Sequence, residues 1–159
     1  MWRDYFGKSA KIYGVDIDPG CKKFEDENIK IFIGSQSDRD FLQDMKSKIP
    51  KIDILIDDGG HTMEHQITTF EELFNHIKDG GLYLCEDIHT SYWEEFGGGL
   101  HKPGTFVEYT KSLIDKLHAW HAGICKVVFQ SLPKKWIHCI FMTAFSLLRK
   151  KIEPVQCRL

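Results

Sequence analysis

One decapeptide, residues 52–61 (IDILIDDGGH), constrains this chain more than any other stretch, and residues 81–87 (GLYLCED) repeat its first half. In each, a short aliphatic run ends in two adjacent acids; in the first, a Gly-Gly turn and a histidine follow. Apolar runs of this length bounded by glycine suit strands buried in a parallel sheet. Open α/β sheets hold their ligands beyond the carboxyl ends of such strands, which is where these acids fall. The pattern points to a metal-dependent α/β enzyme.

The rest of the chain alternates in the same manner. Trp2, Tyr5 and Phe6 share one helical face that stops at Gly7. A strand is predicted over 11–16, a Pro-Gly turn over 17–20 and a second strand over 29–33. Phe41, Leu42, Met45 and Ile49 place a helix over 38–48, capped by Ser37 or Asp38 and ended by Pro50. After a third strand over 52–56, the stripe Ile67, Phe70, Leu73, Phe74 and Ile77 predicts a helix over 62–77, closed by a turn at 78–81. A fourth strand over 82–85 leads into a long loop, 89–103, rich in glycine and aromatics. Loops of that length in compact domains are usually functional lids or disordered. A helix over 105–120 and a strand over 125–130 follow, and residues 121–159 are poorly patterned. Strands alternating with helices predict a doubly wound α/β sheet with helices on both faces, in a single domain.

Composition narrows the function classes. With 42% hydrophobic and 28% charged residues, the 159-residue chain is globular. A formal net charge of −2 gives no electrostatic footprint for nucleic acid or an anionic membrane. Its five cysteines are odd in number and lack a CxxC pair, which suits reduced thiols in a cytoplasmic protein. No secretory leader is visible, and the apolar stretch 136–148 is too short to span a bilayer.

The candidate chemistry follows from the strand ends. Asp57, Asp58, Glu86 and Asp87 terminate two consecutive strands, so a short connection sets them side by side. Such oxygen donors favour a hard cation, Mg²⁺ over Zn²⁺; the plain alternative is that they cap helices or face solvent. His61, three residues past Asp58, is placed to act as a general base, or else is structural. Asp16 ends an early strand, the usual position of a carboxylate that holds ribose hydroxyls. Ser35 and Gln36, after the next strand, are candidates for an adenine edge, and Asp57 joins these three as a cofactor-binding candidate. His61-Thr62-Met63-Glu64-His65 also fits H-x-x-E-H, an inverted zinc-hydrolase motif. That motif needs both histidines on one helix, whereas Gly59-Gly60 sets His61 at or before the helix start. Tyr92, Trp93 and Phe96 either line an acceptor pocket or tuck onto the fold as an apolar patch.

Taken together, IDDGGH, GGLYLCEDIHTSYW, IYGVDIDP and the opening MWRDYF resemble the class I S-adenosylmethionine-dependent O-methyltransferases that act on antibiotic sugars. The mycinamicin and macrocin type is the nearest, with the cephamycin-pathway and rhamnosyl enzymes as relatives. The resemblance covers about 1–120 and implies a Rossmann-like methyltransferase sheet. It implies Asp58, Glu86 and Asp87 as Mg²⁺ ligands, His61 as the base and Asp16 on the cofactor ribose. The implied reaction moves the sulfonium methyl of S-adenosylmethionine to a sugar hydroxyl of a small-molecule or glycan acceptor, in a possible homo-oligomer. Two departures stand out. The family's first strand and Gly-rich loop would precede MWRDYF, which predicts a gap in mid-sheet and a truncated product or late start. Residues 138–145 replace the family's L-H-F-Y-D-S-I, as a frameshift would produce. An inactive remnant, acting at most as a binding module, is therefore the competing expectation.

Overall fold

A computed structural model of the chain describes residues 2–118. It divides into two compact units, the first ending at Pro50 and the second beginning at Lys51. The strand predicted over 125–130, the apolar stretch 136–148 and the last two residues of the helix predicted to reach Trp120 lie outside the described residues.

The first unit opens with a short helix, α1 (Trp2–Phe6), ended by Gly7 at φ +89°. Strands β1 (Ile12–Asp16) and β2 (Ile29–Ile33) pair in parallel from Ile12↔Ile29 to Asp16↔Ile33. The turn expected after β1 is a 3₁₀ segment, Pro19–Phe24, because the Asp18 carboxylate accepts from the Gly20 N–H and proline presets the first φ. Helix α2 (Arg39–Lys48) starts where Asp38 accepts from the Phe41 N–H at 3.0 Å. Its apolar face buries Leu42 and Met45, with Ile49 and Phe32 completing the core of this unit.

The second unit is a parallel strand–helix–strand followed by a loop and a helix. Strand β3 (Ile52–Asp57) pairs with β4 (Ile77–Cys85), closing on Asp57↔Cys85. Helix α3 (Met63–Leu73) connects them, capped by Thr62, whose hydroxyl accepts from the His65 N–H. It stops a turn short of the predicted end. A 3₁₀ turn, Phe74–His76, follows, and Ile77 joins the strand opposite Ile52. The expected turn at 78–81 is an irregularity inside β4, which takes five residue steps from Ile77 to Leu82 while β3 takes two from Ile52 to Ile54. Lys78 clamps this bulge by an ion pair with Asp53 at 2.8 Å. Helix α4 (Phe106–His118) begins where the Thr105 hydroxyl accepts from the Glu108 N–H.

Leu55, Phe70, Leu73, Tyr83, Phe106 and Leu113 form the core of this unit. Phe70 sits at its centre, edge-on to Tyr83 at 5.2 Å and to Tyr109 at 5.8 Å. Among the described residues the strands make two two-stranded parallel sheets, not one four-stranded sheet. Accordingly the IDILID run is less buried than its composition predicts: Ile54 is 39% exposed. No helix among the described residues is long and apolar enough to cross a membrane.

Candidate active site at the paired strand ends

The register of β3 against β4 sets the next residues of the two chains side by side, and the ladder runs one bond further, from the Glu86 N–H to the Asp57 carbonyl at 2.9 Å. Just beyond it, ligand atoms of Asp58, His61 and Asp87 lie within 4.8 Å of one another. His61 Nε2 stands 3.9 Å from Asp58 Oδ1 and 3.8 Å from Asp87 Oδ2. Asp58 is exposed, and the other two are half-buried. Of the site residues expected from sequence, these three come together. Glu86 does not join the cluster; its main chain is fixed instead, its carbonyl accepting from the buried Gln66 amide at 3.2 Å.

Asp57 goes the other way. Asp57, the last residue of β3, is buried, whereas Asp58 just beyond it is exposed. Asp57 is 6% exposed, and its Oδ2 accepts from the Tyr83 hydroxyl at 3.1 Å. This gives it a partner inside the unit. Cys85 lies on the same side, its Sγ 3.9 Å from Asp57 Oδ2. Burial, reinforced by the Asp57 charge, pushes the Cys85 thiol far above its ordinary range. The native protein should therefore keep Cys85 unalkylated by iodoacetamide at pH 8, and unfolding should expose it; peptide mapping by mass spectrometry reads this, and native labelling would contradict the buried pair. Because the folded-state value is raised, this group's contribution to stability is full below the unfolded thiol value of about 8.5 and declines as pH climbs past it.

The main chain at the cluster is unusual. His61 and Asp87 both occupy the left-handed region, at φ +54° and +52°. For L-residues that conformation costs about 1–2 kcal/mol, and His and Asp are among the few types that tolerate it. The loop after Asp87 is packed and does not form an open lid. A 3₁₀ segment, Ile88–Tyr92, buries Ile88, Thr90 and Ser91. Gly98 lies against it so closely that a Cβ there would meet the Thr90 carbonyl at 2.5 Å. The Gly99 N–H donates to the Ser91 carbonyl, and the Ser91 hydroxyl accepts from the Val107 N–H at the start of α4. Of the aromatic run, Tyr92 and Trp93 stay nearly half exposed. Trp93 sits edge-on to His89 at 4.6 Å, and His89 Nδ1 is 3.8 Å from Asp87 Oδ1. A second imidazole and an indole thus flank the acids.

The H-x-x-E-H alternative has no support in this geometry. His61 precedes α3, and the ring of His65 packs on Gly60, where a Cβ would lie 2.1 Å from Nδ1. Among the described residues His65 belongs to no metal-competent cluster.

In the first unit, Asp16 ends β1 exposed, and its Oδ1 accepts from the Asp18 N–H at 2.8 Å. That backbone donor, helped by Cys21, holds the Asp16 carboxyl below the usual carboxylate range. Ser35 and Gln36 follow the end of β2, with the Ser35 hydroxyl 2.9 Å from that of Ser37.

No family model matches the chain. Individual proteins do. It is 40% identical over 121 residues to demethylmacrocin O-methyltransferase of Streptomyces fradiae, covering 74% of this chain and 30% of that one. Mycinamicin VI 2″-O-methyltransferase of Micromonospora griseorubida matches equally, at 40% over 121 residues with the same coverage. Among solved structures, the MycE methyltransferase of the mycinamycin biosynthetic pathway, in complex with Mg, SAH and mycinamycin VI, superposes with a TM-score of 0.68 at 38% identity, over 74% of this chain and 31% of that one. Over that span the chain is homologous to natural-product O-methyltransferases. The α/β fold of the described residues is that of the methyltransferase, as the resemblance implied. The chain spans just under a third of the length of these methyltransferase relatives.

Three residues that sequence reasoning passed over belong to the site. Gln66 and Thr90 are buried and bond its main chain, and His89 stands against Asp87. A buried glutamine in the apolar half of α3 was the one available signal, and a lone polar residue there is seldom distinctive.

Proposed function

We propose that this chain carries the acceptor-activating part of an S-adenosylmethionine- and Mg²⁺-dependent O-methyltransferase acting on a sugar hydroxyl of a glycosylated small molecule. The observation that carries this is the convergence of Asp58, His61 and Asp87 at paired parallel strand ends, in a chain homologous to a methyltransferase whose structures hold Mg and SAH.

The donor set fits the cation. Two carboxylates facing a common space are hard oxygen ligands, and Mg²⁺ binds through one or two such groups while keeping several waters. Asp58 and Asp87 would hold it; Glu86, which the resemblance also implies, lies outside the cluster on a main chain tied to Asp57 and Gln66. When bound, Mg²⁺ would lower the pKa of an acceptor hydroxyl through Lewis-acid polarisation. His61 Nε2, 3.9 Å from Asp58 and 3.8 Å from Asp87, would accept the hydroxyl proton. S-adenosylmethionine, when bound, would supply the methyl group to the hydroxyl oxygen, its carbon–sulfur bond breaking with the electron pair left on sulfur. The exposed faces of Trp93 and Tyr92 offer an amphipathic wall for a sugar ring. In the first unit, Asp16, kept ionised by the Asp18 N–H, would accept from ribose hydroxyls, with Ser35 and Gln36 at the neighbouring strand end.

Chelation by EDTA is expected to abolish transfer of labelled methyl to a glycosylated macrolide, and added Mg²⁺ to restore it. Asp87→Asn should weaken Mn²⁺ binding about 10²-fold, the size expected when one charge is lost at ~4 Å in a partly screened site. Transfer that ignores the chelator would overturn the metal role. Calorimetric titration with S-adenosylhomocysteine decides the cofactor half: absence of binding would favour the inactive remnant.

A further inference from the structure

Thr90 touches both left-handed residues of the site. It is 2% exposed, in the 3₁₀ segment that follows Asp87. Its side-chain hydroxyl donates to the His61 carbonyl at 2.8 Å, and its backbone N–H donates to the Asp87 carbonyl at 3.1 Å. One buried residue therefore bonds to the main chain of the imidazole-bearing residue and of the carboxylate-bearing residue whose side chains face each other at 3.8 Å. The bond to His61 spans 29 residues of sequence and is the long-range one; the bond to Asp87 is local.

The energetics favour such a tie. A left-handed residue persists only where its surroundings over-determine it. At Asp87 that determination is local, since the following 3₁₀ turn takes up its carbonyl. His61 lies in the connection between Gly60 and the cap residue Thr62, and its carbonyl is taken up across the site by Thr90. A valine in that position would bury the carbonyl opposite a methyl group and remove its partner. Thr90 is itself held: its carbonyl accepts from Trp93, and Gly98 packs against it. The aromatic loop thus bonds to the His61 main chain through the Thr90 hydroxyl.

We infer that Thr90 is a positioning residue, which fixes the orientation of His61 relative to Asp87 by bonding the two left-handed peptides at once. This rests on the reading of Asp58, His61 and Asp87 as the reacting site for its consequence in activity, but not for its structural test. That test uses the full chain, isotope-labelled, with Thr90→Val, Thr90→Ser and Ser91→Ala. The readout is the strong intraresidue HN–Hα cross-peak of His61 that a positive φ produces, together with transfer of labelled methyl and affinity for MnCl₂ by calorimetry. Thr90→Val should lose the cross-peak and lower transfer of labelled methyl about 10–100-fold, the usual cost of misplacing a reacting group, while Mn²⁺ affinity, set by Asp58 and Asp87, stays close to the parent's. Thr90→Ser, which keeps the hydroxyl, should restore the cross-peak and the transfer. Ser91→Ala, equally buried but bonded to α4, should lower stability and leave the His61 cross-peak intact. If Thr90→Val does not fold, Thr90→Ala deletes the same hydroxyl without the opposing methyl. An unchanged His61 cross-peak in the variant lacking the hydroxyl, or its loss in Thr90→Ser, overturns the inference. A wild-type protein that binds no Mn²⁺ would defeat the functional reading, while the cross-peak would still decide the role of Thr90.

Discussion

Replacing His61 with asparagine is expected to lower kcat for methyl transfer about 10²–10⁴-fold, the usual contribution of a positioned general base. Asparagine is the informative choice because it tolerates the left-handed backbone found at this position. Alanine would add conformational strain to the loss of the imidazole. The variant should bind S-adenosylhomocysteine as the parent does, so the loss should appear in kcat and not in cofactor affinity. A variant with parental kcat would remove His61 from the chemistry and leave it as a flank of the acidic pair.

Phe106→Ala should cost about 3–5 kcal/mol of folding free energy, the range for deleting a fully buried phenylalanine. Phe106 is 1% exposed at the first turn of α4, and its N–H points to Met63 Sδ at 3.2 Å. Its ring stacks with Tyr109 at 6.3 Å. Tyr109 meets Phe70, Phe70 meets Tyr83, and Tyr83 donates to Asp57 beneath the acidic strand end. Truncation therefore removes packing at one end of an aromatic chain that terminates under the site. Against a typical total of about 5–15 kcal/mol, the loss is large enough to shift the unfolding midpoint plainly. Urea titration followed by circular dichroism measures it. Tyr92→Ala, at a nearly half-exposed ring, should stay within about 0.5 kcal/mol of the parent. Equal midpoints for the two variants would show that the core has been misplaced.

Much of this architecture could be read directly, and the failures have identifiable causes. β2 spans 29–33 as predicted, and α2 begins at its predicted cap, because period-two and period-3.6 patterns are unambiguous there. The end of α3 was misjudged because Ile77 continues the helical stripe as well as it begins a strand; its pairing with Ile52 decides the matter, and pairing is invisible in a linear pattern. The convergence of Asp58, His61 and Asp87 was accessible because consecutive parallel strands bring their ends together. Thr90 and Gln66 were not. The side chain of each bonds to a peptide 20 or more residues away, and no local spacing encodes such a bond.

The main-chain angles at positions 61 and 87 carry a consequence for how this corner of the molecule can vary. A positive φ admits glycine, asparagine, aspartate and histidine with little strain and taxes every other side chain before its chemistry is tried. Of those four, only histidine offers an imidazole and only aspartate a carboxylate. A lysine, glutamate or tyrosine that could also move a proton would enter position 61 with a conformational handicap of about 1–2 kcal/mol. The repertoire of proton acceptors at this corner is thus narrowed by backbone shape, and variants that escape it should first change the loop joining β3 to α3, not the side chain it presents.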